Sequence, residues 1–300
     1  MSKSTVRGKG ETVSQTAEVK RSSQGAPLEG KAAIVTGGGR GMGRSMVLGL
    51  ARAGAKVIAT AARERQELDR VVAEAPRDAV VPMIADVTNV QDCAALVAET
   101  LQRFGKLDVL VNNAGRGMKY VSEDFITEPT RFWETDPETW RLIIDTNVNG
   151  PFLMARAAVP SMISAGWGRI INHSVNFLTM QRRGFSPYGP SKAALESETQ
   201  IWAQELAGTG VTVNAILPGG ATLTGMIPES YPEAARKQLL DPDIVVAPLL
   251  YLASEASDGI TGKRFDSSKW NADLPVEEAG LLCARDAGVY QFEREATQKG

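Results

Sequence analysis

Two side chains set the chemical question. Tyr188 and Lys192 are four residues apart in Tyr-Gly-Pro-Ser-Lys, with Ala193, Ala194 and Leu195 directly behind them. If that stretch opens a helix, positions i and i+4 share one face and a phenol lies beside an ammonium. A free tyrosine, with a pKa of about 10, is a poor acid or base at neutral pH. A nearby cation favours the phenolate and lowers that pKa, which gives a proton donor and acceptor usable near neutrality. The pair alone also fits an ordinary helix start with an exposed Tyr and Lys, so its surroundings have to decide.

Composition removes several other chemistries. The chain has a single histidine, His173, set in an apolar strand pattern that suits a buried structural role. A histidine-rich metal site, and with it zinc-dependent dehydrogenation, is therefore excluded. A formal net charge of −2 over 300 residues offers no general attraction to nucleic acid or to an anionic membrane. The longest apolar runs fall far short of the ~20 residues that cross a bilayer. Cys93 and Cys283 do not make a disulfide framework and point to a reducing, cytoplasmic compartment.

The elements that must position Tyr188 and Lys192 follow in order. Residues 1–27 are polar and aperiodic, which predicts a disordered extension without the apolar core of a secretory signal. An apolar run over 31–36 leads into Gly37-Gly38-Gly39-Arg40-Gly41-Met42-Gly43 and then a helical pattern over 45–53. Strand, glycine turn and helix bring backbone N–H groups and a helix N-terminus up to a pyrophosphate. The spacing Gly37, Gly41, Gly43 is not G-x-G-x-x-G, so the loop alone is weak evidence. Further strands are expected over 56–61, 80–85, 107–111, 169–173 and 211–217, with helices over 92–105, 140–162 and from Tyr188 onward. Short apolar strands alternating with helices predict a three-layer α/β fold, a doubly wound parallel sheet of Rossmann type in a single domain over 28–265. Residues 266–300, with Trp270, Leu274, Leu281, Leu282 and Tyr290, are expected to dock on the body or on a neighbouring subunit. In such sheets ligands sit beyond the carboxyl ends of the strands, where Asp86, Asn113, Ser174 and Pro218 fall.

With these motifs in place, the chain resembles the short-chain dehydrogenase/reductase family. The match comprises Thr36-Gly37-x-x-x-Gly41-x-Gly43, Asp86-Val87, Asn112-Asn113-Ala114-Gly115, Asn147, Ser174, Tyr188-x-x-x-Lys192 and Pro218-Gly219, and spans residues 28–262. The resemblance implies hydride transfer between a nicotinamide and a carbonyl or alcohol carbon. Tyr188 would give or take the proton, and Lys192 would depress its pKa and hold the nicotinamide ribose. Ser174 would polarise the substrate oxygen, and Asn147 would hold a water that relays protons towards Lys192. Gly37, Gly39, Arg40, Gly41, Met42 and Gly43 would cradle the cofactor, with Asp86 and Val87 at the adenine. Asn113, Ala114 and Gly115 would line it, and Pro218, Gly219 and Thr224 would touch its nicotinamide end. The family also implies a homodimer or homotetramer, built on the 140–162 and 188–206 helices.

Three features depart from the family pattern. Its usual serine-to-tyrosine spacing lands on Val175, so Ser174 fills the role only if the following loop carries one extra residue. The stretch 116–138 is long and aromatic, reading equally as surface loop or substrate-pocket wall. The tail beyond 265 is extra. Cofactor choice follows from charge: 60–63 reads Thr-Ala-Ala-Arg, with no acid to accept a ribose hydroxyl, while Arg40 and Arg63 can meet a 2′-phosphate. NADP is therefore expected, with NAD possible. The other reading is a cofactor-binding regulatory or scaffold protein of the same fold with little turnover.

Overall fold

A computed structural model of the chain describes residues 26–288. Residues 1–25 and 289–300 lie outside it, and with them most of the expected N-terminal extension and Tyr290. Eight strands form one sheet: β1 (Ala32–Val35), β2 (Lys56–Ala61), β3 (Val80–Ile84), β4 (Val109–Asn112), β5 (Gly168–His173), β6 (Val211–Leu217), β7 (Lys263–Asp266) and β8 (Ala284–Asp286). Their order is β3-β2-β1-β4-β5-β6-β7-β8, parallel throughout except for the last pair. This is the doubly wound α/β sheet that the alternation of strands and helices predicts, with two further strands at one edge.

The helices are α1 (Gly41–Arg52), α2 (Arg65–Glu74), α3 (Val90–Phe104), α4 (Pro137–Ile144), α5 (Gly150–Ala165), α6 (Phe177–Met180), α7 (Tyr188–Glu205), α8 (Glu233–Arg236), α9 (Val246–Ala253) and α10 (Val276–Cys283). They cover both faces of the sheet. On one side Met46, Leu50, Leu68, Leu249 and Leu252 pack against Val35, Val57 and Val111. On the other Leu96, Met154, Ala158 and Met162 pack against Ile34, Ile58 and Leu110. Neighbouring strand residues thus feed opposite layers, and a strand buried on both faces needs apolar side chains at every position.

Local sequence explains the ends of these elements. Asn89 caps α3 by accepting from the backbone N–H groups of Gln91 and Asp92, and Gly105, at φ 74°, terminates it. The helix expected over 140–162 is divided: a π-helical turn, Asp145–Asn149, separates α4 from α5. The stretch 116–138 is likewise two things. Phe125 is buried edge-on against Phe185 at 5.6 Å, while Phe132 and Trp133 are exposed. No helix among the described residues is long and apolar enough to cross a membrane.

The chain order reverses between β1 and β4, which opens a crevice at their carboxyl ends. The glycine loop follows β1 and Asn113 follows β4. Tyr188 and Lys192 lie at the start of α7, beside the end of β5.

Candidate active site

The glycine loop is built as a backbone cradle. A Cβ on Gly43 would overlap the Gly37 carbonyl oxygen, one on Gly38 would lie 2.8 Å from Val47, and one on Gly39 would lie 2.9 Å from Glu67. A side chain has no room at these three positions, so there the backbone packs directly against its neighbours. Asn113 fastens this loop to β4: its amide nitrogen donates to the carbonyls of Thr36 (2.9 Å) and Gly37 (3.0 Å). The Thr36 hydroxyl in turn accepts from the backbone N–H groups of Asn113 and Ala114, each at 3.0 Å. No side chain caps the N-terminus of α1, which leaves its first-turn N–H groups for a ligand. The loop after β6 reaches over the cradle, and Thr224 approaches Gly41. Pro218 is buried at the start of that loop, and Gly219 has φ 90°.

A second group of side chains converges beside it. Lys192 is buried, and its ammonium donates to the His173 carbonyl at 2.6 Å. A Cβ on Gly115 would sit 3.4 Å from the Asn147 amide oxygen and 3.8 Å from the Lys192 nitrogen, so all three meet. The Asn147 side chain accepts from Arg116 N–H at 2.8 Å and donates to the Arg116 carbonyl (3.0 Å) and to Ser191 Oγ (2.9 Å). Its hydrogen-bonding groups are thereby engaged, and the π turn is locked onto both the β4 loop and α7. His173 is buried, with Nδ1 3.0 Å from the Asn113 amide oxygen. Burial, assisted by the Lys192 charge, pushes its pKa down to about 3, so the imidazole is neutral.

Burial also pulls the Lys192 pKa down to about 8, against an opposing pull from Glu196. The partly exposed Tyr188 shares that wall of the site, and desolvation raises its pKa above the free value. This differs from the sequence expectation that Lys192 depresses it. The Lys192 ammonium is directed to the His173 carbonyl, and loss of water sets the direction of the Tyr188 shift.

Ser174 does not join this group. Its hydroxyl is fully buried and donates to Glu196 Oε1 at 2.7 Å. Glu196 also accepts from Arg264 Nε at 3.2 Å, and that interior charge pair draws the hydroxyl inward. Val175, the residue after Ser174 and beyond the end of β5, carries no donor.

At the opposite end of the crevice Arg40 is exposed and pairs with Glu67 at 3.4 Å. Arg63 is exposed at the end of β2. Asp86 accepts from the N–H and hydroxyl of Thr88, at 2.9 and 2.8 Å, which turns the chain into the α3 cap, and Val87 is buried next to it.

Comparison with known proteins agrees with this geometry. The short chain dehydrogenase family profile matches residues 31–235. This chain belongs to the short-chain dehydrogenase family. A 3-oxoacyl-[acyl-carrier-protein] reductase FabG of Thermotoga maritima is 34% identical over 247 residues, covering 79% of this chain and 95% of that protein. A crystal structure of a 3-ketoacyl-(acyl-carrier-protein) reductase from Brucella melitensis, complexed with NADH, superposes with a TM-score of 0.70 at 31% identity. It covers 80% of this chain and 97% of its own. A putative short-chain alcohol dehydrogenase from Sinorhizobium meliloti gives the same TM-score at 29% identity, covering 87% of this chain and all of that one.

As a short-chain dehydrogenase the protein is an oxidoreductase that interconverts CH–OH and C=O groups. The cradle, the uncapped helix N-terminus and the Tyr188–Lys192 wall fit a dinucleotide lying across the crevice. Three residues of this neighbourhood escaped sequence reading: Glu67, Glu196 and Arg264. Each reads locally as an ordinary helix or edge-strand charge, and only the fold brings it to the site.

Proposed function

We propose that this short-chain dehydrogenase uses NADP(H) to interconvert a carbonyl compound and a secondary alcohol, with Tyr188 as general acid and base. The observation that carries the reading is the meeting of Lys192, Asn147 and Gly115 one helical turn from Tyr188, beside a loop whose Gly38, Gly39 and Gly43 leave no room for a side chain. When bound, the nicotinamide supplies or accepts the hydride. The protein's residues manage the proton and the orientation. A phenol whose pKa is raised stays protonated at neutral pH and can donate to a carbonyl oxygen as negative charge develops there. The Lys192 cation then stabilises the phenolate left behind, and the site is resupplied with a proton from solvent. In oxidation the same steps run in reverse. Ser174 can polarise the substrate oxygen only by leaving Glu196, which makes it a weaker donor than the family pattern implies.

The NADP assignment rests on Arg40 and Arg63 and on the absence of an acid over 60–63. The Arg40–Glu67 pair favours a second reading, use of NAD, because a carboxylate near the adenosine end opposes a 2′-phosphate. Cytoplasmic placement and assembly into a homodimer or homotetramer belong to the same proposal. Exposed Phe152 and Ile163 on α5 and Ile201 on α7 support the assembly. A panel of carbonyl compounds, with NADPH and NADH oxidation followed in parallel by absorbance, tests the assignment. Equal efficiency with both cofactors removes the NADP preference. Tight NADPH binding without consumption across the panel favours the regulatory reading.

A further inference from the structure

Helix α7 carries Tyr188, Lys192 and Glu196 at successive intervals of four residues, so the three lie along one face. Lys192 and Glu196 are both buried, at 4% and 1% exposure. Glu196 accepts at both oxygens: Oε1 from Ser174 Oγ (2.7 Å) and Arg264 Nε (3.2 Å), and Oε2 from the backbone N–H of Gly288 (3.1 Å). The second arm of Arg264 donates to the Val175 carbonyl at 2.8 Å, and its guanidinium lies 3.8 Å from the centre of the Phe177 ring. One carboxylate therefore ties the end of β5, strand β7 and the C-terminal segment to the helix that bears Tyr188. Neighbouring Gln200 strengthens the same seam by donating to the carbonyls of Gly262 and Ala287.

We infer that Glu196 is a positioning residue for the Tyr188–Lys192 pair, holding Lys192 in its charged form while it joins the C-terminal segment to the wall of the active site. The inference rests on the proposed role of Tyr188 and Lys192. A buried ammonium is costly without a counter-charge, and among the described residues Glu196 is the carboxylate one turn beyond it. Of the charged groups around this carboxylate, Arg264 from β7 pairs with it directly, and Lys192 lies one turn away on the same face of α7. Ser174, just after β5, contributes only a neutral hydroxyl, and the imidazole of His173, whose carbonyl holds Lys192, is uncharged. The C-terminal segment contributes a backbone N–H. The cluster thus holds two cations and one anion, and the anion sets how readily Lys192 keeps its proton.

Two substitutions of opposite electrostatic sign test this. Glu196→Gln leaves the buried Lys192 and Arg264 without the anion between β7 and α7, which makes Lys192 easier to deprotonate. Arg264→Gln leaves the carboxylate to Lys192 alone, which makes it harder. NADPH affinity, read by fluorescence titration between pH 6 and 10 on the full chain, should lose its alkaline limb about one pH unit earlier in Glu196→Gln and later in Arg264→Gln. The rate profile for any reduced carbonyl compound should move the same way. A purely structural role would lower the thermal midpoint of both variants and leave the inflection in place, and that result overturns the assignment. If Glu196→Gln does not fold, Arg264→Gln still supplies one sign, and the Glu196→Gln/Arg264→Gln double variant, which removes the pair together, should regain stability with an inflection between those of the single variants. A wild type that binds neither NADPH nor NADH at any pH would remove the underlying reading of the site, and this inference with it.

Discussion

Replacing Gly43 by alanine adds one methyl group at the most crowded point of the cradle. That methyl would overlap the Gly37 carbonyl oxygen and lie 2.5 Å from the Asn113 amide nitrogen. Relief requires the Gly37 peptide to move away from α1. The movement breaks the two bonds by which Asn113 holds the loop, at 2.9 and 3.0 Å. Two such bonds contribute about 1 kcal/mol each, and forcing a methyl into a packed site costs about 1–3 kcal/mol more. The expected loss is about 3–5 kcal/mol, which for a domain of this size lowers the thermal midpoint by about 10 °C. NADPH affinity should fall at least tenfold, because the displaced peptides belong to the loop proposed to hold the phosphates. Gly105→Ala is the control. Gly105 also has a positive φ, 74°, but a methyl there meets nothing within 4 Å, so it should cost about 1–2 kcal/mol of backbone strain and leave cofactor affinity unchanged. Scanning calorimetry and fluorescence titration measure both quantities. A Gly43→Ala protein with wild-type midpoint and affinity would refute the account of the loop as a closed backbone surface.

Tyr188→Phe removes only the ionisable oxygen, so turnover should drop by at least a hundredfold with unchanged NADPH affinity; more than a few per cent of residual activity sinks the acid/base assignment. Lys192 has a folded pKa of about 8, below the free-lysine value of 10.5. The unfolded chain therefore binds the extra proton, and the cost of burying the charge, about 3 kcal/mol, applies in full below pH 8 and fades as pH rises towards 10.5. The buried thiols of Cys93 and Cys283, pushed up to about 11, lower the stability of both proteins above pH 9. Stability in urea of wild type should therefore climb relative to Lys192→Met across that window, and parallel curves would contradict the burial argument. Ala61→Asp should shift preference towards NADH and Arg40→Ala should weaken NADPH selectively, both effects shrinking in high salt; unchanged affinity ratios at low salt would remove these positions from cofactor selection.

Local spacing made the core of the site legible. Tyr188 and Lys192 announce a shared helix face by being four residues apart, and the glycine loop announces itself between an apolar run and a helical pattern. The six strands read from the sequence are the apolar ones, short (β1, β4) as well as long. Strands β7 and β8 escaped because Lys-Arg-Phe-Asp and Ala-Arg-Asp look like exposed charge until the fold pairs them. Glu196 and Arg264 are 68 residues apart, and nothing near either one marks it as buried. The same holds for Glu67, which meets Arg40 only because α2 packs beside α1. The rivalry between Ser174 and Val175 was visible in the spacing to Tyr188. Its outcome depended on a charge pair beneath the strand that the spacing does not encode.

The π turn at Asp145–Asn149 acts as a phase shift in the chain. An α-helix turns about 100° per residue, so one surplus residue between α4 and α5 rotates everything downstream by that angle. With the shift, Met154, Ala155, Ala158 and Met162 face the sheet. Delete a single residue there and α4 could run straight into α5 with better internal hydrogen bonding, but that apolar stripe would swing off the core and Asn147 would lose its register with Arg116 and Ser191. A shortened protein of this kind should trade a smoother helix for weaker packing on the sheet and a displaced Asn147, so the irregular turn fixes the spacing between α4 and α5.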